Sequence, residues 1–476
     1  MNKAITVPTS LKNQHLRFSL RMIKYCLCWL MLWQDGMVAG SILQLRTFIA
    51  IPINISIMEV FGAFLFFTVI IERTILRDFT IRRSYFAGPL ILIALAFFAS
   101  WCRGSFMKQH IAFILEFHDA FELPFMFFLM NVAFREEEDR IGLWSVIFFA
   151  IICKALDGAY IYFFSTRPEK YWGVVQSWRD GYLLGIGCIG FLLLLQYRGT
   201  ILKRVKWWVL VTFPVLALTF VMSFRRTFFV GTFICMMIMF FTLPPSKRKL
   251  HFTLVVSVLL GFLLTVVLTN PMEVVSRLAG IVAPQNEGSA FIRLMEWPNV
   301  IKNIINNPIL GVPVGIPWTT YYRMPLSAVY TTLGTHNTYL YWPLRAGIPG
   351  AIAFIWLMCK FWKTAILNYR LRRTEEDFLV GQWGIQMLIM YQVACFFGLM
   401  YGDEMSGILS VMLTVFQLQT KHITGRSSLR EVSFWHTLKS GALKYHEPFL
   451  RRLWGLFNEN SHLSTVRLAA STLSDA

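Results

Sequence analysis

Three arginines and one histidine between residues 225 and 336 have the side chains that proton transfer beside a bound anion requires. Arg225 and Arg226 are adjacent between two apolar runs, Arg293 lies in a polar segment, and His336 stands where that segment meets the next apolar run. Guanidinium groups bind phosphate oxygens in pairs, and an imidazole takes up a proton near neutral pH. Two plainer roles are open: the arginines could anchor lipid headgroups, and His336 could cap the following helix together with Asn337.

The composition indicates a membrane protein that crosses the bilayer many times. Of the 476 residues, 56% are hydrophobic and 15% are charged, and the 43 Phe and 16 Trp far exceed the usage of soluble proteins. The net charge of +19 does not point to nucleic acid, because the basic residues form short clusters between apolar runs. The eight cysteines have neither metal-site nor disulfide spacing. We therefore expect no nucleic-acid partner, no metal and no cofactor.

Apolar runs of roughly 20 residues predict about 12 transmembrane helices. If the spans alternate, the basic clusters after the second, sixth, eighth and tenth spans lie on the side of the N-terminus. The positive-inside rule then places both termini in the cytoplasm. In the fifth span, Lys154 and Asp157 are three residues apart and are predicted to neutralise each other. The predicted spans are 22–44, 49–71, 85–102, 111–134, 141–164, 181–197, 207–223, 227–243, 250–269, 336–359, 378–401 and 405–420.

The chain divides into four parts. Residues 1–269 carry the first nine predicted spans, and residues 270–335 form one large periplasmic loop. Residues 336–420 carry the last three spans, and residues 421–476 form a basic cytoplasmic tail that could lie against membrane lipid. The expected fold is an all-α polytopic membrane protein whose loop contains short helices.

Within the loop, residues 271–282 and 293–306 have apolar side chains at helical spacing. This spacing is typical of amphipathic helices that lie at a membrane interface. Pro298 is expected to kink the second helix or to mark its start. The run from Asn307 to Gly315 is rich in proline and glycine and predicts a turn.

Several of these features occur in an order that matches a known family. The order resembles the O-antigen ligase and O-antigen polymerase superfamily of bacterial envelope enzymes over residues 220–352. The sequence departs from the family pattern at Arg225, where Ser or Thr is usual, and at Pro313, where glycine is usual, so the essential arginine of the pair is left open. The matching residues are Arg226, then Arg293 and Trp297, then the turn Asn307–Gly315, and then His336, Asn337, Leu340, Gly347 and Gly350.

The resemblance implies a glycan transferase of the bacterial inner membrane whose donor is an oligosaccharide on undecaprenyl diphosphate. Arg226, with Arg225 and Arg293, would stabilise the charge of the diphosphate leaving group without a metal. His336 would act as the base that activates the acceptor hydroxyl. The absence of an Asp-x-Asp motif argues against an enzyme that uses a nucleotide sugar and a metal.

Four further residues are expected to bind substrate: Trp297, Asn337, Glu116 and Asp403. Ionisable side chains inside a membrane are costly and usually face a cavity or each other. Glu116 lies in the fourth span and would line such a cavity, unless this segment is a shorter helix at the interface. Asp403 precedes the last span and would accept a sugar hydroxyl or pair with a loop arginine. The fourth span also contains His118, Asp119 and Glu122.

The sequence supports more than one function. A polymerase would join lipid-linked repeat units into surface polysaccharide, and this version is slightly favoured. A ligase would move the finished chain to the lipid A core, and transfer to protein is a third version. A transporter or flippase of polysaccharide or lipid is the alternative from another class, since about 12 spans with both ends inside is a common transporter layout.

Overall fold

A computed structural model of the chain describes residues 9–33, 57–76, 84–106, 112–164, 178–197, 203–223, 225–242, 249, 256, 288–322, 324, 334–398, 400 and 403–425. The regular elements within these ranges are helices, which confirms the predicted all-α class for this part of the chain. They are α1 (Thr9–Trp33), α2 (Ile57–Leu76), α3 (Ala87–Phe106), α4 (Ala112–Ala133), α5 (Glu137–Phe164), α6 (Trp178–Gln196), α7 (Lys203–Met222), α8 (Arg226–Thr242), α9 (Gly288–Asn306), α10 (Thr338–Arg370), α11 (Glu375–Phe397) and α12 (Asp403–Thr424).

Each predicted span except one overlaps a helix, and the exception, residues 250–269, lies almost entirely outside the described residues. Within the described ranges, four helical stretches are long and apolar enough to cross a membrane: α3, residues 138–161 of α5, α10 and α11. Shorter apolar stretches lie in α4, α6, α7 and α8. The chain is therefore a helical membrane protein, while the total of about 12 spans and the periplasmic position of residues 270–335 stay predictions.

Aromatic packing joins α5, α6 and α11. The Trp383 ring of α11 lies 4.3 Å from the ring of Phe148 and 4.6 Å from that of Trp144, both on α5. Its indole N–H donates to the Ile186 carbonyl of α6 at 2.8 Å. A β-carbon at Gly190 would come within 2.7 Å of the same ring, so glycine there lets α6 approach closely. Small residues allow such contacts between membrane helices.

A buried ion pair links α5 to α6. Lys154 Nζ lies 2.8 Å from Asp180 Oδ1, and both side chains are fully buried. The sequence suggested Asp157, on the same helix, as the neutralising partner. That pairing stays a prediction, and the structure shows a partner for Lys154 on the neighbouring helix, since α6 packs directly against α5. Pairing across helices satisfies two buried charges and also ties the helices together.

The helix α10 is broken at Gly347. The backbone there has a φ of 60° and a ψ of −158°, which is not helical, so α10 consists of a short helix over residues 338–346 and a longer one over 348–370. The sequence predicted one continuous span from 336 to 359. Pro349, two residues after the break, cannot donate the backbone hydrogen bond that would continue the first helix.

The turn that follows α9 packs against this break. Val312 N donates to the Leu344 carbonyl at 2.6 Å. Gly311 has a φ of 68°, and a β-carbon there would lie 2.6 Å from the same carbonyl oxygen. A β-carbon at Gly347 would overlap the Ile309 carbonyl. The two glycines thus allow two backbone segments to cross in contact, which gives a physical reason for glycine at both positions.

We expect Gly347→Ala to destabilise the protein strongly. Alanine at this backbone conformation, with φ of 60° and ψ of −158°, costs about 1–3 kcal/mol in the backbone alone, and its β-carbon would also overlap the Ile309 carbonyl. Gly425→Ala is the matched control, because Gly425 has a φ of 65° but nothing lies within 4 Å of its would-be β-carbon. The melting temperature of the purified protein in detergent should fall clearly further for Gly347→Ala. Equal melting temperatures would contradict the crossing.

Candidate functional site

The segment that contains α9 docks on one end of the helix bundle, which we call the loop end. Trp297 of α9 packs against Phe396 near the C-terminus of α11, with ring centroids 5.4 Å apart. The Thr338 hydroxyl at the start of α10 donates to the Gly398 carbonyl at 2.8 Å and accepts the Met400 N–H at 2.7 Å. The start of α10, the end of α11 and the link to α12 therefore meet beneath α9.

A buried glutamate holds His336 through two contacts. Glu296 is completely buried on α9. Its Oε2 lies 2.6 Å from His336 Nδ1, and its Oε1 accepts the His336 backbone N–H at 2.7 Å. Both oxygens of one carboxylate are therefore occupied by a single histidine. The His336 side chain remains 38% exposed, so the ring is still accessible away from the carboxylate.

This geometry selects one arrangement of hydrogen on the His336 ring. An ionised carboxylate can only accept hydrogen bonds, so Nδ1 is the nitrogen that carries hydrogen toward Glu296. In the neutral ring, Nε2 is then left with its lone pair. A histidine in this state can receive a proton at Nε2, and the carboxylate stabilises the imidazolium that forms.

Glu296 belongs to a buried polar stripe along α9 that continues with Asn299 and Asn303. The Asn299 side chain accepts the N–H groups of Tyr321 and Tyr322 at 2.6 and 2.7 Å. The Asn303 side chain accepts Thr319 N–H at 3.0 Å and donates to the Thr319 carbonyl at 2.7 Å. These bonds fix an extended segment alongside α9, so the helix that presents Glu296 is held from a second side.

Asn337, not His336, caps α10. The Asn337 side-chain oxygen accepts the N–H groups of Tyr339 and Leu340 at 2.9 and 3.2 Å. The residue is almost fully buried, with 4% exposed. The capping role considered for His336 thus falls to its neighbour, because the imidazole of His336 is turned toward Glu296. Substrate binding by Asn337 stays a prediction, and its carbonyl oxygen is already engaged.

Arg293 and Trp297 flank Glu296 on α9. At spacings of three and four residues, Arg293 lies one helical turn from both Glu296 and Trp297, so the three side chains share one region of the helix surface. Arg293 is half-buried. The Trp297 indole nitrogen is buried and has no hydrogen-bond partner among the described residues. These positions bring two of the predicted site residues next to the His336 pair.

The start of α8 also lies at the loop end. Thr232 Oγ1 lies 3.9 Å from Met390 Sδ, and Cys235 Sγ donates to the Gln386 carbonyl at 3.3 Å. Because residue numbers rise along α8 as they fall along α11, the two helices are antiparallel. Arg225, which directly precedes α8, is therefore at the same end as the C-terminus of α11.

Arg225 and Arg226 form the N-terminus of α8. The Arg225 carbonyl accepts the Phe228 N–H at 2.9 Å, so Arg225 is the residue at which the helix begins. Its side chain is half-buried and packs close to Gly181 of α6. Arg226 is the first helical residue, and its side chain lies outside the described residues. A helix N-terminus favours anions, and two arginines add to that effect.

Two arginines that sequence reasoning did not select as site residues have structural partners at the loop end. Arg345 is fully buried and donates to the carbonyls of Pro313 and Ile316 at 3.0 and 2.7 Å. Arg103 of α3 donates to the Gly311 carbonyl. Both side chains hold the turn after α9 against the bundle.

The other two predicted binding residues are described only by their backbone. Glu116 lies in the first half of α4, and Asp403 is the first residue of α12, but their side chains are outside the described residues. Their substrate contacts stay predictions. In the described part of the chain, no group of three His, Cys, Asp or Glu side chains is placed to hold a metal ion.

The fold and the site define a helical membrane protein with a histidine–carboxylate pair at one end of its bundle. Residues 211–355 match the O-antigen ligase family. This range includes Arg225, Arg226, Arg293 and His336, and the match confirms the resemblance found in the sequence motifs. No curated protein matches the chain.

The matched family implies what this domain does in general terms. It implies glycan transfer in the synthesis of bacterial envelope polysaccharide, with a lipid-linked glycan and an acceptor as substrates. The chain thus carries an O-antigen ligase domain inside a larger set of membrane helices. The matched range ends within α10, so Glu116 and Asp403 lie outside it.

Glu296 is the site residue that sequence reasoning missed. A signal was present, because Glu296, Asn299, Asn303 and Asn307 repeat at spacings of three or four residues and so share one side of a helix. The apolar residues of the same helix predict the buried side instead, since a helix normally buries its apolar side. Here the polar side is buried.

We expect Asn299→Ala to loosen the segment that lies along α9. The change would remove the acceptor of two part-buried N–H groups, those of Tyr321 and Tyr322, and two such hydrogen bonds contribute roughly 1–3 kcal/mol together. Hydrogen exchange at these two amides should then be roughly 10–100-fold faster. Asn306→Ala is the control, because Asn306 is exposed and its amide donates only to the Tyr321 hydroxyl. Unchanged exchange in Asn299→Ala would contradict this role.

Proposed function

We propose that this protein transfers a glycan from undecaprenyl diphosphate to a sugar hydroxyl at the periplasmic face of the bacterial inner membrane, with both termini in the cytoplasm. The product we favour is a surface polysaccharide built from repeat units, and transfer to the lipid A core is the alternative. One observation carries the proposal: within the matched family region, a buried carboxylate contacts Nδ1 of a half-exposed histidine. That contact makes Nε2 the nitrogen that would receive a proton.

In the proposed reaction, the acceptor hydroxyl oxygen attacks the anomeric carbon of the donor sugar. A new carbon–oxygen bond forms while the bond from that carbon to the diphosphate oxygen breaks, and the electron pair leaves with the lipid diphosphate. His336 Nε2 takes the hydroxyl proton and later releases it to water. Glu296 keeps the ring oriented and stabilises the imidazolium.

The leaving group carries negative charge that needs fixed cations. Arg226 and Arg225 at the start of α8 and Arg293 on α9 would supply them, without a metal. Their positions at the loop end support this assignment, since the start of α8, the end of α11 and α9 share that end of the bundle. Trp297, Glu116 and Asp403 would contribute to binding the two substrates.

We expect His336→Gln to lower the turnover number about 10²–10⁴-fold, because glutamine cannot take up the proton. Glu296→Gln should lower it on the order of 10–100-fold, as for carboxylates that orient other histidines. The reason is that a carboxamide offers one acceptor oxygen where His336 presents two N–H donors. The turnover numbers of both variants are measured as product formation by the purified protein from a lipid-linked donor.

The double variant separates an orienting role of Glu296 from a merely structural one. If Glu296 acts through His336, the double variant should be no slower than His336→Gln alone. Losses that multiply in the double variant would mean that Glu296 acts independently of the histidine. Near-normal turnover in His336→Gln would remove His336 as the base.

We expect Arg226→Ala and Arg293→Ala each to lower glycan transfer about 10²–10³-fold, the usual cost of losing one charge-stabilising donor. Arg225→Ala should be milder, since Arg226 matches the family position. Arg17→Ala is the control, because Arg17 is exposed on α1, a helix that does not carry the site. Amounts of each variant in the membrane must be equal. Full activity of both Arg226→Ala and Arg293→Ala would rule out the proposed diphosphate contacts.

Deletion of the gene followed by gel analysis of lipopolysaccharide and exopolysaccharide tests the function itself. Loss of polymer with single-repeat material retained supports the polymerase. Lipid-linked polymer that accumulates beside bare lipid A core supports the ligase instead. An unchanged polymer pattern, or material trapped on the cytoplasmic face as expected for a missing transporter, would overturn glycan transfer.

A further inference from the structure

The helix α9 has its polar side buried and its apolar side exposed. Leu294, Ile301 and Ile305 are 46%, 45% and 62% exposed. With the exposed Pro298, they follow the spacing i, i+4, i+7, i+11, which places them in one narrow stripe. Glu296 and the asparagines of the polar stripe, which are at most 2% exposed, lie on the opposite side. A helix that faces water has the reverse distribution.

The exposed stripe continues onto the membrane-spanning part of the protein. Beyond α9, Ile309 and Leu310 are 68% and 50% exposed. Their neighbour Pro308 accepts the Ile348 N–H at 2.9 Å, which joins this turn to α10 just after its break. Along α10, the exposed residues Ile348, Ile352 and Ile355 lie on one side of a helix apolar enough to span a membrane.

The charges beside the stripe fit a membrane surface. Lys302 is exposed next to Ile301, and Glu296, the one acidic residue of α9, is buried. A helix at a lipid interface places apolar side chains among acyl chains and lysine at the level of the phosphates. The outer side of α9 therefore carries positive but no negative charge toward an anionic surface.

We propose that α9 lies partly immersed in the lipid leaflet at the loop end, with Leu294, Ile301 and Ile305 in contact with acyl chains. The occupant of the stripe is lipid, because the stripe is continuous with the lipid-facing side of α10. The immersion fixes the depth of α9. Since Glu296 on its buried side holds His336, the imidazole is held near the level of the lipid phosphates. This contact goes beyond the proposed transfer and does not depend on it.

Photocrosslinking in vesicles tests the contact directly. The full chain, with p-benzoylphenylalanine in place of Ile301 or Ile305, is reconstituted into phosphatidylethanolamine and phosphatidylglycerol and irradiated, and crosslinked peptides are identified by mass spectrometry. Replacement of Ile352 on α10 is the positive control. Replacement of the exposed Thr319 on the adjacent segment is the off-stripe control.

Acyl-chain adducts at 301 and 305 in yields similar to those at 352, with only background yield at 319, are the expected result. Two outcomes would overturn the proposal. One is background yield at 301 and 305, which would mean that the stripe faces water. The other is a covalent dimer through these positions, which would mean that a second copy covers the stripe. None of the readouts requires activity, so a failure here is distinguishable from a failure of the proposed transfer.

Discussion

The contact between the turn after α9 and the break in α10 is the constraint on which the arrangement of the loop end depends. Gly311 and Gly347 both have left-handed backbones and lie where any β-carbon would meet a carbonyl group. Two chain segments far apart in sequence are thereby held in one relative position. The buried guanidinium of Arg345 adds two hydrogen bonds to the same turn. Because α9 directly precedes this turn, the position of Glu296 relative to His336 follows from backbone packing.

The arginines at the loop end fall into two groups that differ in burial and in hydrogen-bond partners. Arg103 and Arg345 donate to backbone carbonyls of the turn, and they are structural. Arg225 and Arg293 are only half-buried and stand at a helix start and beside the histidine pair. From the sequence alone these arginines look alike, since each interrupts an apolar or polar run. Only burial and partners separate the structural group from the candidates for anion binding.

The sequence predicted the helical class and most helix positions, because apolar runs of spanning length are a strong and local signal. It also assigned His336 and Arg293 to one family region, because the order of the motifs can be read from a single sequence. It did not predict the break at Gly347 or the contact of Lys154 with Asp180, since both depend on a neighbour distant in the chain. Pro298 does not mark a helix start, because α9 runs through it from Gly288 to Asn306.

The buried polar side and the exposed apolar side of α9 determine how this region would behave outside the intact protein. Cut out of the chain, a fragment from α9 to His336 would expose two apolar surfaces at once. One is the outer stripe with Ile301 and Ile305, and the other is the inner cluster of Val312 and Trp318, which in the intact protein packs on Leu344 of α10. Exposed apolar patches of this kind drive association in water. We therefore expect this segment to need α10, together with the proposed lipid contact, to cover its two apolar surfaces.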